Sequence, residues 1–165
     1  MKNKKPSTFF IGCCDNRIIP HCLTSKTHGD LFVLRNIGNL IPPYKASATS
    51  VAAAIEYAVE ILAIPEIIVC GHSDCGGMKS ILAGVKDNSC LGRWVKYAVP
   101  ANNITLPDEL ARANVLHQIK NLMTYPAVVK GLSEGVLIIH GWWFDLDADI
   151  LHGYDKKTKE WKSIS

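Results

Sequence analysis

The stretch Ile67-Ile68-Val69-Cys70-Gly71-His72-Ser73-Asp74-Cys75-Gly76-Gly77 runs from an apolar segment into a polar loop flanked by glycines. The segment Glu66 to Cys70 is short and almost continuously apolar, as in a strand buried on both faces of a parallel sheet. A second stretch has the same form: Phe9-Phe10-Ile11-Gly12-Cys13-Cys14-Asp15-Asn16-Arg17. Thr8 to Gly12, Leu31 to Leu34 and Gly135 to His140 supply the other short apolar runs. Between the second and third runs in chain order, Val51, Ile55, Ala58, Val59 and Leu62 recur at helical spacing. Ser47, Thr49 or Ser50 can cap that helix, and Pro65 follows its end. Leu106 to Met123 predicts a second long helix, with Pro107 in its first turn and Leu110, Ala113, Leu116, His117 and Lys120 on one face or its edge. Ser80 to Ala83 and Leu91 to Ala98 predict shorter helices around a polar loop at Lys86 to Ser89. Trp142 to Asp145 reads as the end of one strand and Ile150 to Tyr154 as a late strand, with a turn at Asp147 to Asp149. The fold class is therefore α/β: a mostly parallel central sheet covered by helices on both faces, with a late antiparallel strand.

Residues 1–165 fit one domain, long enough to bury a core without disulfide staples. A net charge of +3 is small, and the densest basic patch, Lys2, Lys4 and Lys5, sits at a terminus. That pattern gives no footprint for nucleic acid. No apolar run approaches the roughly 20 residues of a membrane span, and the lysine-led start lacks a clean signal-peptide core. Six cysteines, with no Cys-x-x-Cys pair, argue for reduced thiols in a cytoplasmic compartment and against a thioredoxin site or zinc ribbon.

In parallel α/β sheets ligands gather beyond the carboxyl ends of strands. Cys13 leaves the first strand there, and His72 with Cys75 leaves the third. If those strands are neighbours, two thiolates and an imidazole meet with a fourth position open, the ligand count of a catalytic zinc rather than a structural one. Gly71, Gly76 and Gly77 permit the tight backbone that His-x-x-Cys needs. Cys14, Cys22, Cys70 and Cys90 read as ordinary thiols, with Cys70 in the core and Cys14 a possible competing ligand. Asp15 and Arg17, two apart on an extended segment, point the same way and form a carboxylate–guanidinium pair. Beside zinc, such a carboxylate either ligates the metal or accepts a hydrogen bond from a metal-activated water. A Cys–His nucleophilic pair is compatible with the residue types but leaves the second ligand cysteine unexplained.

The two stretches resemble the Cys-x-Asp-Ser-Arg and His-x-x-Cys-Gly motifs of β-class carbonic anhydrases. Gly29-Asp30-Leu31-Phe32-Val33-Leu34-Arg35-Asn36-Ile37-Gly38-Asn39 resembles that family's Gly-Glu-Leu-Phe-Val-x-Arg-Asn-x-x-Asn segment. Gly141-Trp142 is similar to its late strand, so the resemblance runs from about residue 8 to 154. It implies that Cys13, His72 and Cys75 are zinc ligands and that Asp15 and Arg17 form the catalytic dyad. It further implies that Phe32 and Ile37 line an apolar carbon dioxide pocket built across a dimer interface, and that Gly76 and Gly77 bring backbone donors near bicarbonate. Asn16 stands where the family has Ser, and only a few lysine-rich residues precede the first strand. Gly12 and Arg35 match positions at which some bacterial relatives bind regulatory bicarbonate, whereas Phe10 replaces their Trp.

The implied reaction is reversible hydration of carbon dioxide to bicarbonate and a proton, with Zn2+ as cofactor. The alternatives are carbon disulfide or carbonyl sulfide hydrolysis on the same metal site, or a non-catalytic zinc- or bicarbonate-binding protein. His28, His21 and bulk buffer are the candidates for relaying the proton. A homodimer or dimer of dimers is expected, with Phe32 and the Trp142-Trp143-Phe144 cluster supplying apolar contact surface.

Overall fold

The computed structural model describes residues 4–46 and 49–164, so Lys2 and Ser47 lie outside the described residues. Among these, six strands form one sheet in the order β2-β1-β3-β4-β5-β6. They are β1 (Thr8–Cys13), β2 (Leu31–Asn36), β3 (Glu66–His72), β4 (Ile138–Asp145), β5 (Ile150–Asp155) and β6 (Glu160–Ser163). β1 pairs parallel with β2 and β3, and β3 pairs parallel with β4. The last two pairings, β4 with β5 and β5 with β6, are antiparallel. The expected late strand is thus a hairpin partnered by β6, a short and mostly exposed edge. Thr8 lies opposite Glu66 and Ile11 opposite Val69. β1 and β3 therefore run in step and end at the same edge of the sheet.

Alternation along the strands makes two cores. Phe9, Ile11, Ile67, Val69 and Ile139 face α2 (Ser50–Glu56), α5 (Pro107–Leu122) and α6 (Pro126–Ser133) through Val51, Ile55, Val115, Ile119 and Val128. Phe10, Ile68 and Cys70 face the other way, against Ile18 and the half-buried Leu23, Trp142, Phe144 and Leu146. Helices flank the sheet on both faces, as expected, but the cover is unequal. On this second side the short α1 (Pro20–Thr24) leaves a groove of about 690 Å³ bordered by Trp142, Phe144 and Leu151. Trp143 points to the opposite side and is buried with Leu110 and Ala111 of α5. The Trp142-Trp143-Phe144 cluster is therefore divided between the two faces, and Trp143 offers no contact surface.

Thr49 caps α2, its side chain accepting from Ala52 N–H, and the helix widens into a π turn over Tyr57–Ile61. The two shorter predicted helices are α3 (Gly76–Leu82) and α4 (Cys90–Val95), the latter capped by Ser89. α6 carries Pro126 in its first turn and Val128 on its buried side.

The buried face of α5 differs from the predicted one. It consists of Leu110, Ala111, Asn114, Val115, Gln118, Ile119 and Leu122. Asn114 and Gln118 are fully buried because they satisfy loop backbone that would otherwise be stranded. Asn114 Nδ2 donates to Gly38 O at 3.1 Å. Gln118 Oε1 accepts from Ile41 N–H at 2.8 Å, while its Nε2 donates to Tyr97 O at 2.9 Å. Asn121 extends the ladder to Ile41 O.

Gln118→Leu removes both ends of that linkage and strands Ile41 N–H and Tyr97 C=O in the interior. Chemical denaturation should show a loss of about 3 kcal/mol, since each unsatisfied buried group costs roughly 1–3 kcal/mol. An unchanged midpoint would mean that the ladder is not a determinant of stability.

Candidate metal centre and the carboxylate beside it

Cys13 ends β1, His72 ends β3, and Cys75 stands at the N-terminus of α3. All three are buried, and one ligand atom from each lies within 4.8 Å of the others. The sulfurs of Cys13 and Cys75 are 4.0 Å apart. His72 Nδ1 lies 2.7 Å from Ser73 O, so the proton belongs on Nδ1 and the Nε2 lone pair is free. That Nε2 is buried without a protein partner. A buried acceptor in this position costs free energy unless something binds it.

The two thiols compete for one proton. The hydrogen bond between the two sulfurs draws the Cys13 thiol well below its usual range, against the opposing effect of burial. The same bond, reinforced by burial, pushes the Cys75 thiol up. Backbone N–H groups of Asp15 and Gly38 point at the Cys13 sulfur, and those of Met78 and Gly77 at the Cys75 sulfur. Two sulfurs supplied with donors, plus one imidazole lone pair, fit a divalent cation with a taste for S and N ligands.

Asp15 and Arg17 follow Cys13 in the loop. Arg17 Nε donates to Asp15 Oδ1 at 2.9 Å and Nη2 to Oδ2 at 2.7 Å, a two-pronged contact. Arg17 N–H adds a third bond to Oδ1 at 3.0 Å. The guanidinium bonds hold the Asp15 carboxyl well below the usual carboxylate range. It is ionised throughout the neutral range and acts as an acceptor.

Arg35 clamps this loop from β2. Its Nε donates to Cys13 O at 2.8 Å and its Nη2 to Asp15 O at 2.6 Å. The sequence signal for that role is a cation inside an otherwise apolar strand, opposite Gly12 in the ladder.

A cleft of about 490 Å³ opens over Cys13 and Asp15. Ile37, Gly76 and Gly77 line it, together with Cys14, Asn16, Ser80 and Leu91. A β-carbon on Gly77 would come within 3.3 Å of the Gly38 backbone, so glycine permits this close approach. Phe32 does not border the cleft of its own chain; it packs against Phe9 and Tyr57 at ring separations of 5.3 and 6.0 Å. Cys14 is exposed and outside the ligand trio, and Cys70 is core. His21 and His28 lie against each other, with neither lining the cleft.

Sequence reasoning missed Leu91 and the support behind Ile37. Trp94 on α4 donates its indole N–H to Ile37 O at 2.9 Å, which joins two walls of the cleft. A buried or half-buried tryptophan near a polar loop is the available signal, since its N–H needs a partner.

The family model described as carbonic anhydrase matches residues 8–151. A carbonic anhydrase of Pseudomonas aeruginosa is 36% identical over 172 aligned positions, covering 97% of this chain and 78% of that protein. One from Synechocystis is 41% identical, covering 91% of this chain and 60% of its own length. Among solved structures, the β-carbonic anhydrase CcaA superposes with a TM-score of 0.92 at 36% identity, covering 98% of this chain and 85% of that one. A tetrameric β-carbonic anhydrase of Sordaria macrospora gives 0.80 at 30% identity, covering 92% and 82%. With the strand order, the ligand trio and these matches in agreement, the chain belongs to the β-carbonic anhydrases, enzymes that hydrate carbon dioxide to bicarbonate and a proton.

Proposed function

We propose that this chain performs carbon dioxide hydration as a zinc enzyme, with Cys13, His72 and Cys75 as the metal ligands and Asp15 with Arg17 as the catalytic dyad. The observation that carries the reading is the buried convergence of two sulfurs on an imidazole nitrogen that has no protein partner. Bound zinc would supply Lewis acidity, lowering a water's pKa toward neutrality.

The chain's residues then divide the remaining tasks. Ser73 O keeps the His72 proton on Nδ1 and so presents Nε2 to the metal. Asp15, kept anionic by Arg17, accepts a hydrogen bond from the attacking water and turns its lone pair toward the substrate carbon. Ile37 and Leu91 give an apolar wall suited to a linear, uncharged molecule, and the N–H groups of Gly76 and Gly77, both on the cleft wall, are the candidate donors to an oxygen of the bicarbonate product. Buffer reaching the open cleft removes the proton. Carbon disulfide or carbonyl sulfide hydrolysis and passive zinc or bicarbonate binding are not favoured, because the named relatives are carbonic anhydrases.

The working unit is at least a dimer. Ile37, Val33 and Tyr57 are exposed apolar surface on or beside the edge strand β2, next to Phe32. A second copy placed there would bury this patch and bring Phe32 to a neighbour's cleft. The Sordaria relatives are described as tetrameric. Six free thiols accord with a reducing, cytoplasmic setting, and no helix among the described residues is long and apolar enough to cross a membrane.

Metal analysis of Cys75→Ser should find most of the zinc gone; full occupancy would refute the ligand set and redirect attention to Cys14. Asp15→Asn should retain zinc yet lose about 10- to 100-fold of its hydration rate, the range for removing an oriented partner beside a metal. A parental rate in that variant would reduce the dyad to a structural pair. In sedimentation at micromolar concentration, active protein should run as a dimer or larger. Full activity at 18.1 kDa would exclude a shared pocket.

A further inference from the structure

Arg17 presents a physical difficulty for the role given to it. Its side chain is 42% exposed, and an exposed ion pair holds a long side chain only weakly. The observed geometry resolves this by gripping the guanidinium from two sides. Asp15 takes Nε and Nη2, while Asp74 takes the remaining edge, accepting from Nη1 at 2.9 Å through Oδ2. The Asp74 carbonyl also accepts from Nη2 at 3.3 Å.

Asp74 is itself held. Its other carboxylate oxygen pairs with the Lys79 ammonium on α3. Its N–H donates to Asp108 Oδ1 at 2.8 Å, from the first turn of α5. The Lys79 charge offsets that of Asp74, so Arg17 is not drawn away from Asp15. Asp74 also lies between two of the proposed ligands, in left-handed backbone at φ 56°. The loop between His72 and Cys75 therefore meets Arg17 through Asp74, chiefly by its carboxylate and also by its carbonyl.

We infer that Asp74 is a positioning residue of the hydration reaction: it fixes Arg17 with its Nε and Nη2 turned to Asp15, and so fixes the direction in which Asp15 accepts. This rests on the reading of Asp15 and Arg17 as the dyad. Asp74 touches neither substrate nor metal and acts through Arg17 alone. An orientation effect of this kind lowers the rate of the chemical step and leaves uniform substrate binding untouched.

The test is a double-mutant cycle of Asp74→Asn and Arg17→Gln on the zinc-loaded protein, with kcat, KM, zinc content and thermal midpoint measured for all four forms. Asparagine accepts left-handed backbone and keeps the N–H bond to Asp108, so Asp74→Asn should fold and hold zinc. It should lower kcat about tenfold with KM unchanged. In the Arg17→Gln background the same substitution should cost nothing further, because the group through which it acts is gone. The inference is overturned if Asp74→Asn keeps the parental kcat, loses its zinc, or costs the same factor in both backgrounds. A parental rate in Arg17→Gln would overturn the dyad reading and this inference with it. A large loss in Arg17→Gln beside none in Asp74→Asn would overturn the role of Asp74 alone.

Discussion

Everything in this protein's chemistry depends on β1 and β3 being adjacent and parallel. Parallel neighbours cannot be joined by a tight turn and need a long crossover; here β2 and α2 lie between them in the chain. The return from that crossover is a pair of strands that start in step, Thr8 beside Glu66, and release their loops at one edge. Antiparallel pairing would have sent Cys13 and His72 to opposite ends of the sheet. The near-complete burial of both strands, a requirement of parallel sheets with covered faces, also brings Cys13 and His72 into a water-poor site.

Burial of that kind is unstable without compensation, and the compensation is local. Four backbone N–H groups point at the two sulfurs, and a carbonyl takes the His72 proton. Support then passes outward. Gly38, whose N–H faces Cys13, has its carbonyl held by Asn114, and Ile41 in the same segment is held by Gln118. Polar side chains on a core helix thus keep a loop in place beside the Cys13–His72–Cys75 cluster, where an apolar helix face would have left its backbone unsatisfied.

This explains which features were legible in the sequence. The clustering of Cys13, His72 and Cys75 was readable because Cys13 and His72 each follow an apolar run closed by glycine, and Cys75 stands three residues on, before Gly76 and Gly77. The face of α5 was not readable from hydropathy, since Asn114 and Gln118 are polar by composition and buried by function. Trp142, Trp143 and Phe144 look like one cluster along the chain, yet the two-residue period of a strand assigns alternate members to opposite faces. β6 escaped notice because Glu160, Lys162 and Ser163 form an exposed edge with little apolar signal. The Asp15–Arg17 contact was anticipated from an extended two-residue spacing, but it forms across a turn in which Ile18 N–H donates to Asp15 O, and the Asp74 contact to Arg17 had no sequence signal of its own.

The four residues from His72 to Cys75 show how a short spacer can serve several elements at once. His72 still belongs to β3 and faces the site. Ser73 turns toward β4, its N–H donating to Phe144 O and its hydroxyl accepting from Leu146 N–H. Asp74, in left-handed backbone, redirects the chain outward to Arg17 and α5. Cys75 returns to the site and begins α3. The left-handed residue sits at the point where the chain changes direction, and without that reversal an extended spacer would carry Cys75 away from His72 at about 3.3 Å per residue. Asp and Asn enter this conformation more readily than most residues, so aspartate at position 74 serves both the turn and the guanidinium. The same backbone reversal that returns Cys75 to His72 and Cys13 therefore also delivers the carboxylate that meets Arg17.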